Sequence, residues 1–110
     1  MGGQLKPRKQ PKLYLALRKR HSDFFKAWDK VGTTARSAGS LDEKSVQLIQ
    51  LAAAAAIRSE GAVHSHVRRA LAAGAGAGEI RQALMLLAAT IGFPNVIAAL
   101  SWAEDVLKKS

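Results

Sequence analysis

The sequence predicts an all-α fold, a compact bundle of about five to six helices, because apolar residues recur at spacings of three and four. Gly and Pro interrupt this pattern at intervals that suit short helical connections. With 110 residues and 48% hydrophobic content, the chain is long enough for one domain with a modest core. Alanine supplies much of that content, so we expect close helix packing that oligomerisation completes.

Residues 1–11 are predicted to form a flexible basic arm, and residues 12–110 a single all-helical domain. The arm has no apolar period, and Gly and Pro stand among its basic side chains. The first 40 residues carry ten of the 17 Lys and Arg residues but only two acidic ones. The arm could attract phosphates, an anionic membrane or an acidic partner, or it could be a solvated tail. No recognised nucleic-acid motif accompanies the charge, so nucleic acid is not expected as a partner. A membrane is not expected either, because the apolar runs of the chain are too short or interrupted.

Most aromatic side chains fall in the first predicted helix, which starts near Pro11 and stops at Gly32. Its apolar stripe consists of Tyr14, Leu17, His21, Phe24, Phe25, Trp28 and Val31. A structural role is predicted for His21, because no partner is apparent nearby in the sequence. Residues 32–39 are rich in Gly, Ser, Thr and Ala, and we expect a loop there.

A capping box of Ser40 and Glu43 predicts a second helix over about residues 41–58. Residues 51–57 are apolar on every side, so burial all round is expected for them. This apolar run ends at Arg58, far short of the roughly 20 residues that a membrane span needs.

Three further helices are predicted in the C-terminal half. The first follows a turn at Gly61 and ends at residues 74–78, where Gly and Ala alternate. The second covers residues 79–91 and ends at the Gly-Phe-Pro sequence of residues 92–94. The third covers residues 95–108, and lysines near its end complement the helix dipole.

The composition excludes several classes of function. The chain has no cysteine, which excludes disulfides, thiolate metal ligands and thiol nucleophiles. No apolar segment follows the charged N-terminus, so a cytoplasmic location is expected. Residues 83–100 are uncharged, but the Gly and Pro within them favour two packed helices over a membrane span. Nucleotide binding has little support, because residues 74–78 lack the Lys-Ser/Thr ending of a phosphate loop, and no cofactor is expected.

Several landmarks follow one another at a characteristic spacing between residues 40 and 107. They are Leu41-Asp42, Leu48-Ile49-x-Leu51-Ala52, His66-Val67-Arg68-x-Ala70-Leu71, Gly74-Ala75, Glu79-Ile80 and Gly92-Phe93-Pro94. Together they resemble the carboxymuconolactone decarboxylase and alkyl hydroperoxidase D-like superfamily. The resemblance implies an alkyl hydroperoxidase D-like bundle that assembles as a homo-oligomer, a trimer or a hexamer, with cavities near the subunit contacts.

The hydroperoxidase branch of this superfamily uses a glutamate, a Cys-x-x-Cys pair and a histidine four residues further on. The resemblance places Gln47, Ser59, Ala62 and His66 at these positions. Gln47 cannot relay protons as a carboxylate does, and Ser59 with Ala62 cannot form a disulfide, so thiol peroxidase activity is excluded. The sequence is more similar to the decarboxylase branch, which lacks the cysteine pair, keeps a histidine followed by Arg, and acts on a carboxylated lactone.

His66 is the candidate proton carrier. It falls in the apolar stripe of its helix, and an imidazole can give or take a proton near neutral pH. His66 could reprotonate the carbanion-like centre that decarboxylation leaves, or it could be a packed histidine without a chemical role. His64 points to the opposite face of the helix, so no metal shared by the two is expected. A nucleophile pair of Ser59 and His66 is disfavoured, because no nucleophile elbow surrounds Ser59.

Charged residues near the same helix junction are the remaining candidates. Arg58 and Arg68 could bind a substrate carboxylate, or they could be ordinary surface charges. Arg68 comes first, because it matches the His-x-Arg pattern of the resemblance. Glu60 is the nearest carboxylate in sequence, and it could act with His66 in catalysis by orienting the ring, or cap the next helix.

The sequence therefore favours a decarboxylase-type lyase acting on a small carboxylated or lactone substrate, with His66 as proton carrier and Arg68 as anchor. The alternative is a non-catalytic oligomeric module that binds an acidic partner through its basic arm. His66 followed by Arg68 supports the enzyme, whereas Gln47 at the position of the relay carboxylate supports the module.

Overall fold

The computed structural model describes residues 12–108, and within these the protein is entirely helical and without strands. The helices are α1 (Lys12–Arg20), α2 (Ser22–Arg36), α3 (Glu43–Ala56), α4 (Glu60–Ala72), α5 (Ala77–Met85), α6 (Ala88–Ile91) and α7 (Phe93–Leu107). In this described part of the chain, six helices have nine residues or more and α6 is a single turn. The predicted all-α class and helix number are confirmed, whereas the basic arm of residues 1–11 lies outside the described residues.

The described chain divides into two units, residues 12–41 with α1 and α2, and residues 42–108 with α3 to α7. In the first unit, α1 folds back on α2. Arg18 donates two hydrogen bonds to the Asp29 carboxylate, at 2.7 and 3.1 Å. The rings of Tyr14 and Phe25 meet edge to face with their centroids 5.7 Å apart.

The prediction of one continuous aromatic helix ending at Gly32 is wrong. The chain leaves helical geometry at His21, with φ −119° and ψ 49°, and this break lets α1 turn back so that Arg18 reaches Asp29. Gly32 lies inside α2, which continues to Arg36. A glycine within a helix costs only about 1 kcal/mol relative to alanine, so it does not by itself end a helix.

Asp42, rather than the predicted Ser40, caps the start of α3. The Asp42 carboxylate accepts a hydrogen bond of 2.8 Å from the backbone N–H of Ser45, the third helical residue. This bond also lowers the pKa of Asp42 below its usual value, because it stabilises the charged carboxylate. The predicted capping box is wrong because the helix begins at Glu43, two residues after the position that Ser40 would cap.

The junction between α3 and α4 is formed by residues 57–59. Arg58 has φ 56°, a left-handed conformation that reverses the chain direction after α3. Ser59 caps α4 and accepts a hydrogen bond from the N–H of Ala62 at 3.4 Å. The sequence predicted the chain reversal at Gly61, but it occurs before that residue, at residues 57–59. Gly61 itself is the second residue of α4.

The second unit has α4 packed between α3 and α7, with α5 against α7 and α3. Its buried apolar side chains are Leu51, Ala54, Ala55, Val63, Val67, Ala70, Ala75, Ile80, Leu84, Ala99, Ala103, Val106 and Leu107. Small residues predominate at the contacts of α3, α4 and α7, as predicted. The prediction that residues 51–57 are buried on every side is wrong, because Ala53 and Ala56 are exposed to solvent and Ile57 is 76% exposed.

The predicted helix over residues 79–91 is two helices, because the chain leaves α5 after Met85 and starts α6 at Ala88. The predicted end at residues 92–94 is confirmed. Gly92 has φ 89°, a conformation that favours glycine, and Pro94 occupies the first turn of α7, where its missing N–H costs nothing.

Ion pairs connect α5 to both neighbours. Lys44 on α3 lies 3.0 Å from the Glu79 carboxylate, which also accepts a hydrogen bond from the N–H of Gly76 at the start of α5. Arg81 binds Glu104 on α7 through two hydrogen bonds of 2.6 and 3.1 Å. These pairs connect α5 to α3 and α7, beside the buried side chains Ile80 and Leu84 that pack α5 on the core.

None of the helices in residues 12–108 is both long enough and apolar enough to cross a membrane.

Replacing Leu51 with Ala is expected to lower the free energy of unfolding by about 2–5 kcal/mol, because Leu51 is fully buried between the helices of the second unit. Urea denaturation followed by circular dichroism measures the effect. Leu41→Ala removes the same atoms from a side chain that is 61% exposed, and it should change the free energy by less than about 0.5 kcal/mol. Equal losses from the two variants would contradict the described core.

Candidate functional site

The contact between α3 and α4 brings Gln47 and His66 together. Gln47 lies on the buried side of α3, one turn before Leu51, and is only 2% exposed. His66 is half-buried on the flank of α4 that faces α3, next to the core residue Val67. The Gln47 side chain therefore meets an imidazole ring inside the helix contact rather than at the surface.

A chain of hydrogen bonds runs from Glu43 through Gln47 to His66. The Gln47 amide nitrogen Nε2 donates to Oε2 of Glu43 at 2.6 Å. The Gln47 carbonyl oxygen Oε1 lies 2.8 Å from Nδ1 of His66. Glu43 and Gln47 are four residues apart on α3, the spacing that places side chains one above the other on a helix.

The direction of these bonds determines which nitrogen of His66 carries the proton. A carboxylate accepts hydrogen bonds, so Glu43 requires the NH₂ end of the Gln47 amide. The carbonyl end then faces His66 and can only accept, so the Nδ1–H of His66 donates to it. In the neutral ring, the lone pair is therefore on Nε2, which is the nitrogen that can act as a base.

The surroundings of His66 favour this neutral ring. Burial lowers the pKa of His66 below its usual value, because the charged imidazolium loses hydration, and the positive charge of Arg69 lowers it further. The local positive charge also suits a negatively charged ligand. The pair of Gln47 and His66 thus presents an oriented imidazole, whose neutral form is favoured, near the positive charge of Arg69.

A match to a known protein family covers the part of the chain that contains Gln47 and His66. The carboxymuconolactone decarboxylase family matches residues 22–105, more than two thirds of the chain and the whole of α2 to α6. The chain belongs to the carboxymuconolactone decarboxylase family. Comparisons with curated proteins and with solved structures found no match. The predicted resemblance is confirmed, and the match begins at residue 22 instead of near residue 40, so it includes α2.

This carboxymuconolactone decarboxylase family member has neither cysteine of the hydroperoxidase branch. Ser59 and Ala62, at the corresponding positions, are joined by the hydrogen bond that caps α4. The other two positions of the relay, Gln47 and His66, are in direct contact. The relay position on α3 is thus still hydrogen-bonded to the histidine, but it holds an amide where the hydroperoxidase branch has a carboxylate.

Two predicted substrate-binding arginines lie in different surroundings. The Arg58 guanidinium donates to the Asn95 side chain and lies over the Trp102 ring, 5.9 Å from its centroid, so it is directed toward α7. Arg68 is partly buried on α4, two residues after His66. The arginine whose charge acts on His66 is Arg69, which the sequence analysis did not select.

Glu60, predicted as a possible partner of His66, lies beside the other histidine of α4. Its Oε2 is 3.9 Å from Nε2 of His64, and the same nitrogen is 3.0 Å from Oδ2 of Asp105. Glu60 lies beside His64 and not beside His66 because residues four apart on a helix share one face, whereas residues six apart do not. The partner of His66 is Gln47 on the neighbouring helix.

Two carboxylates of this region, Glu43 and Asp105, were not predicted as site residues from the sequence. Glu43 was assigned only to a helix cap, although its spacing of four residues from Gln47 signals a side-chain pair on α3. Asp105 carried no signal, because it is 41 residues from His64 and only the packing of α7 on α4 brings them together.

In the neutral form of His66 the ring proton is expected on Nδ1. Replacing Gln47 with Leu removes the acceptor of that proton, so the neutral ring should shift toward the form protonated at Nε2. Long-range ¹H–¹⁵N correlation spectra of the imidazole nitrogens measure this directly.

Gln50→Leu is the matched control, because it makes the same change one turn further along α3, where the Oε1 atom of Gln50 has no hydrogen-bond partner among residues 12–108. It should leave the His66 signals unchanged. A wild-type spectrum with the proton on Nε2 would contradict the described hydrogen-bond direction.

Proposed function

We propose that this protein is a decarboxylase-type lyase acting on a small carboxylated or lactone substrate, with His66 as proton carrier. The observation that carries the proposal is the hydrogen bond from His66 Nδ1 to the buried Gln47 carbonyl, which directs the reactive Nε2 away from α3. Membership of the carboxymuconolactone decarboxylase family supports the reaction class. An oriented imidazole is the group that such a reaction needs for proton transfer.

The proposed reaction breaks the bond between the substrate carboxylate and its neighbouring carbon. Carbon dioxide leaves, and the electron pair remains on the carbon, where a conjugated lactone carbonyl can delocalise it. A proton carried on Nε2 of His66 then forms the new C–H bond, and water restores that proton. Gln47 holds the ring throughout, because an amide cannot accept the Nδ1 proton and leaves Nε2 as the exchanging nitrogen.

Positive charge near His66 supports an anionic substrate. Arg69 already acts electrostatically on the ring, and Arg68 lies on the same helix, two residues from it. A bound carboxylate would offset the Arg69 charge and so favour the protonated imidazole that delivers the proton. We propose Arg68 as the main anchor, with Arg69 contributing through its charge.

Purified full-length protein is expected to release carbon dioxide from at least one member of a panel of lactone carboxylic acids that includes carboxymuconolactone. His66→Gln should lower kcat/KM by about 100-fold or more, because general acid–base groups contribute roughly that factor. Headspace carbon dioxide measurement together with ultraviolet absorbance of the lactone follows the reaction.

His21→Gln is the control, because it changes a histidine of the first unit, at the residue before α2, whose side chain makes no capping hydrogen bond to the described helix. It should leave the rate unchanged. Release that is equally fast with His66→Gln would remove His66 from the mechanism. Folded protein that releases no carbon dioxide from any of the acids would overturn the lyase proposal and favour the non-catalytic module with a basic binding arm.

We also propose a homo-oligomer, a trimer or hexamer, in the cytoplasm. Large apolar side chains of the second unit are exposed in the single chain, namely Ile49, Ile57, Met85, Leu86, Phe93 and Ile97. Burial of these side chains against a second copy of the chain would remove apolar surface from water, which supports the proposed assembly. The cytoplasmic location expected from the sequence stays a prediction.

Multi-angle light scattering is expected to give three or six times the chain mass of 11.7 kDa. Leu86→Glu places a charge at a side chain that is 70% exposed, and it should shift the population to smaller species. Leu41→Glu, at a leucine outside the second unit, should not. A wild-type mass equal to one chain would contradict the assembly.

A further inference from the structure

Three potential metal ligands converge on the side of α4 that faces α7. Glu60 and His64 belong to α4, and Asp105 belongs to the last turns of α7. One ligand atom from each, two carboxylate oxygens and Nε2 of His64, lie within 4.8 Å of one another. His66, in contrast, meets α3, so this cluster is separate from the proposed proton carrier.

We propose that Glu60, His64 and Asp105 bind a divalent transition-metal cation of the zinc class. Imidazole nitrogen and carboxylate oxygen are ligands that Zn²⁺ takes readily, whereas a site with a nitrogen ligand suits Mg²⁺ and Ca²⁺ poorly. Two carboxylates and a neutral imidazole together offset the charge of a divalent cation. Three protein ligands leave at least one position for water or an external ligand.

The distances fit such a cation. Ligand atoms about 2.1 Å from a metal are roughly 3.0 to 3.4 Å apart at octahedral or tetrahedral angles. Nε2 of His64 is 3.0 Å from Oδ2 of Asp105 and 3.9 Å from Oε2 of Glu60. The ligand oxygen of Glu60 lies within 4.8 Å of both other ligand atoms and would have to move closer to them, which a side chain that is 56% exposed can do.

A protonated nitrogen alone does not account for both carboxylates. The Nε2–H of His64 is one proton, and Asp105 Oδ2, at 3.0 Å, is placed to accept it. Glu60, at 3.9 Å, is beyond hydrogen-bond distance and gains only an electrostatic attraction. A cation in place of that proton would bind all three groups at once.

Burial makes the imidazole the fixed part of the proposed site. The His64 side chain is 10% exposed and is held in the contact between α4 and α7, while both carboxylates reach solvent and leave a path for the ion. A metal bound to both helices would connect residues 60–64 to residue 105. Because binding requires the folded arrangement of the two helices, the cation would stabilise the second unit.

Isothermal titration of chelator-treated full-length protein with ZnCl₂ tests the proposal. We expect one Zn²⁺ per chain, no comparable heat from MgCl₂, and a raised melting temperature with zinc. Glu60→Gln and Asp105→Asn should each weaken zinc binding at least about tenfold, and His64→Gln should abolish it. Glu60→Gln changes an exposed side chain, so its effect can be measured even if the His64 variant does not fold.

Matched controls separate this site from other zinc-binding groups. Glu104→Gln changes the carboxylate next to Asp105 that binds Arg81, and His66→Gln changes the histidine on the other flank of α4. Both variants should bind zinc as the wild type does. The absence of zinc binding, or binding that survives in the Glu60, His64 and Asp105 variants, would overturn the proposal. Loss of lactone decarboxylation in His66→Gln would not affect this result, so the two proposals can fail separately.

Discussion

The close approach of α3 and α7 to α4 is the constraint on which the rest of the second unit depends. Alanines line these contacts, namely Ala54 and Ala55 on α3, Ala70 on α4, and Ala99 and Ala103 on α7. Leu51, Val63 and Val67 complete these contacts, and the packing brings polar side chains together on both flanks of α4. The two histidines of α4 consequently reach partners on different neighbouring helices, and each acquires its own chemical environment.

Those two environments differ in charge and in the chemistry they permit. His66 meets the amide of Gln47 and the charge of Arg69, so its neutral form is favoured and the ring is oriented. His64 meets the carboxylate of Asp105, with Glu60 nearby. A carboxylate at the position of Gln47 could take the Nδ1 proton, but an amide cannot, which confines proton exchange of His66 to Nε2. This substitution separates the protein from the carboxylate relay of the hydroperoxidase branch.

Helix type and number were predictable because they depend on local periodicity and on strong breakers. The ends of helices at Gly74 and Gly92 followed from glycines that adopt positive φ, as the structure shows. The break at His21 was not predictable from the neighbouring residues, because it accompanies a contact between Arg18 and Asp29, which are 11 residues apart in the sequence. The cap at Asp42 was not predicted because Ser40 and Asp42 are both suitable capping residues. The helix begins at Glu43, and this start selects Asp42.

For the candidate site, the sequence by itself determined which reactive side chains are present and which family positions they occupy. It excluded thiols, identified the family, and aligned Gln47 and His66 as positions of one relay. Only the tertiary structure decided which groups touch, because hydrogen bonds between α3, α4 and α7 depend on helix packing and rotation rather than on sequence spacing. In the folded chain Gln47 contacts His66, and Glu60 lies beside His64. Asp105 also contacts His64, although the two are 41 residues apart, because packed helices bring together side chains that no local sequence pattern connects.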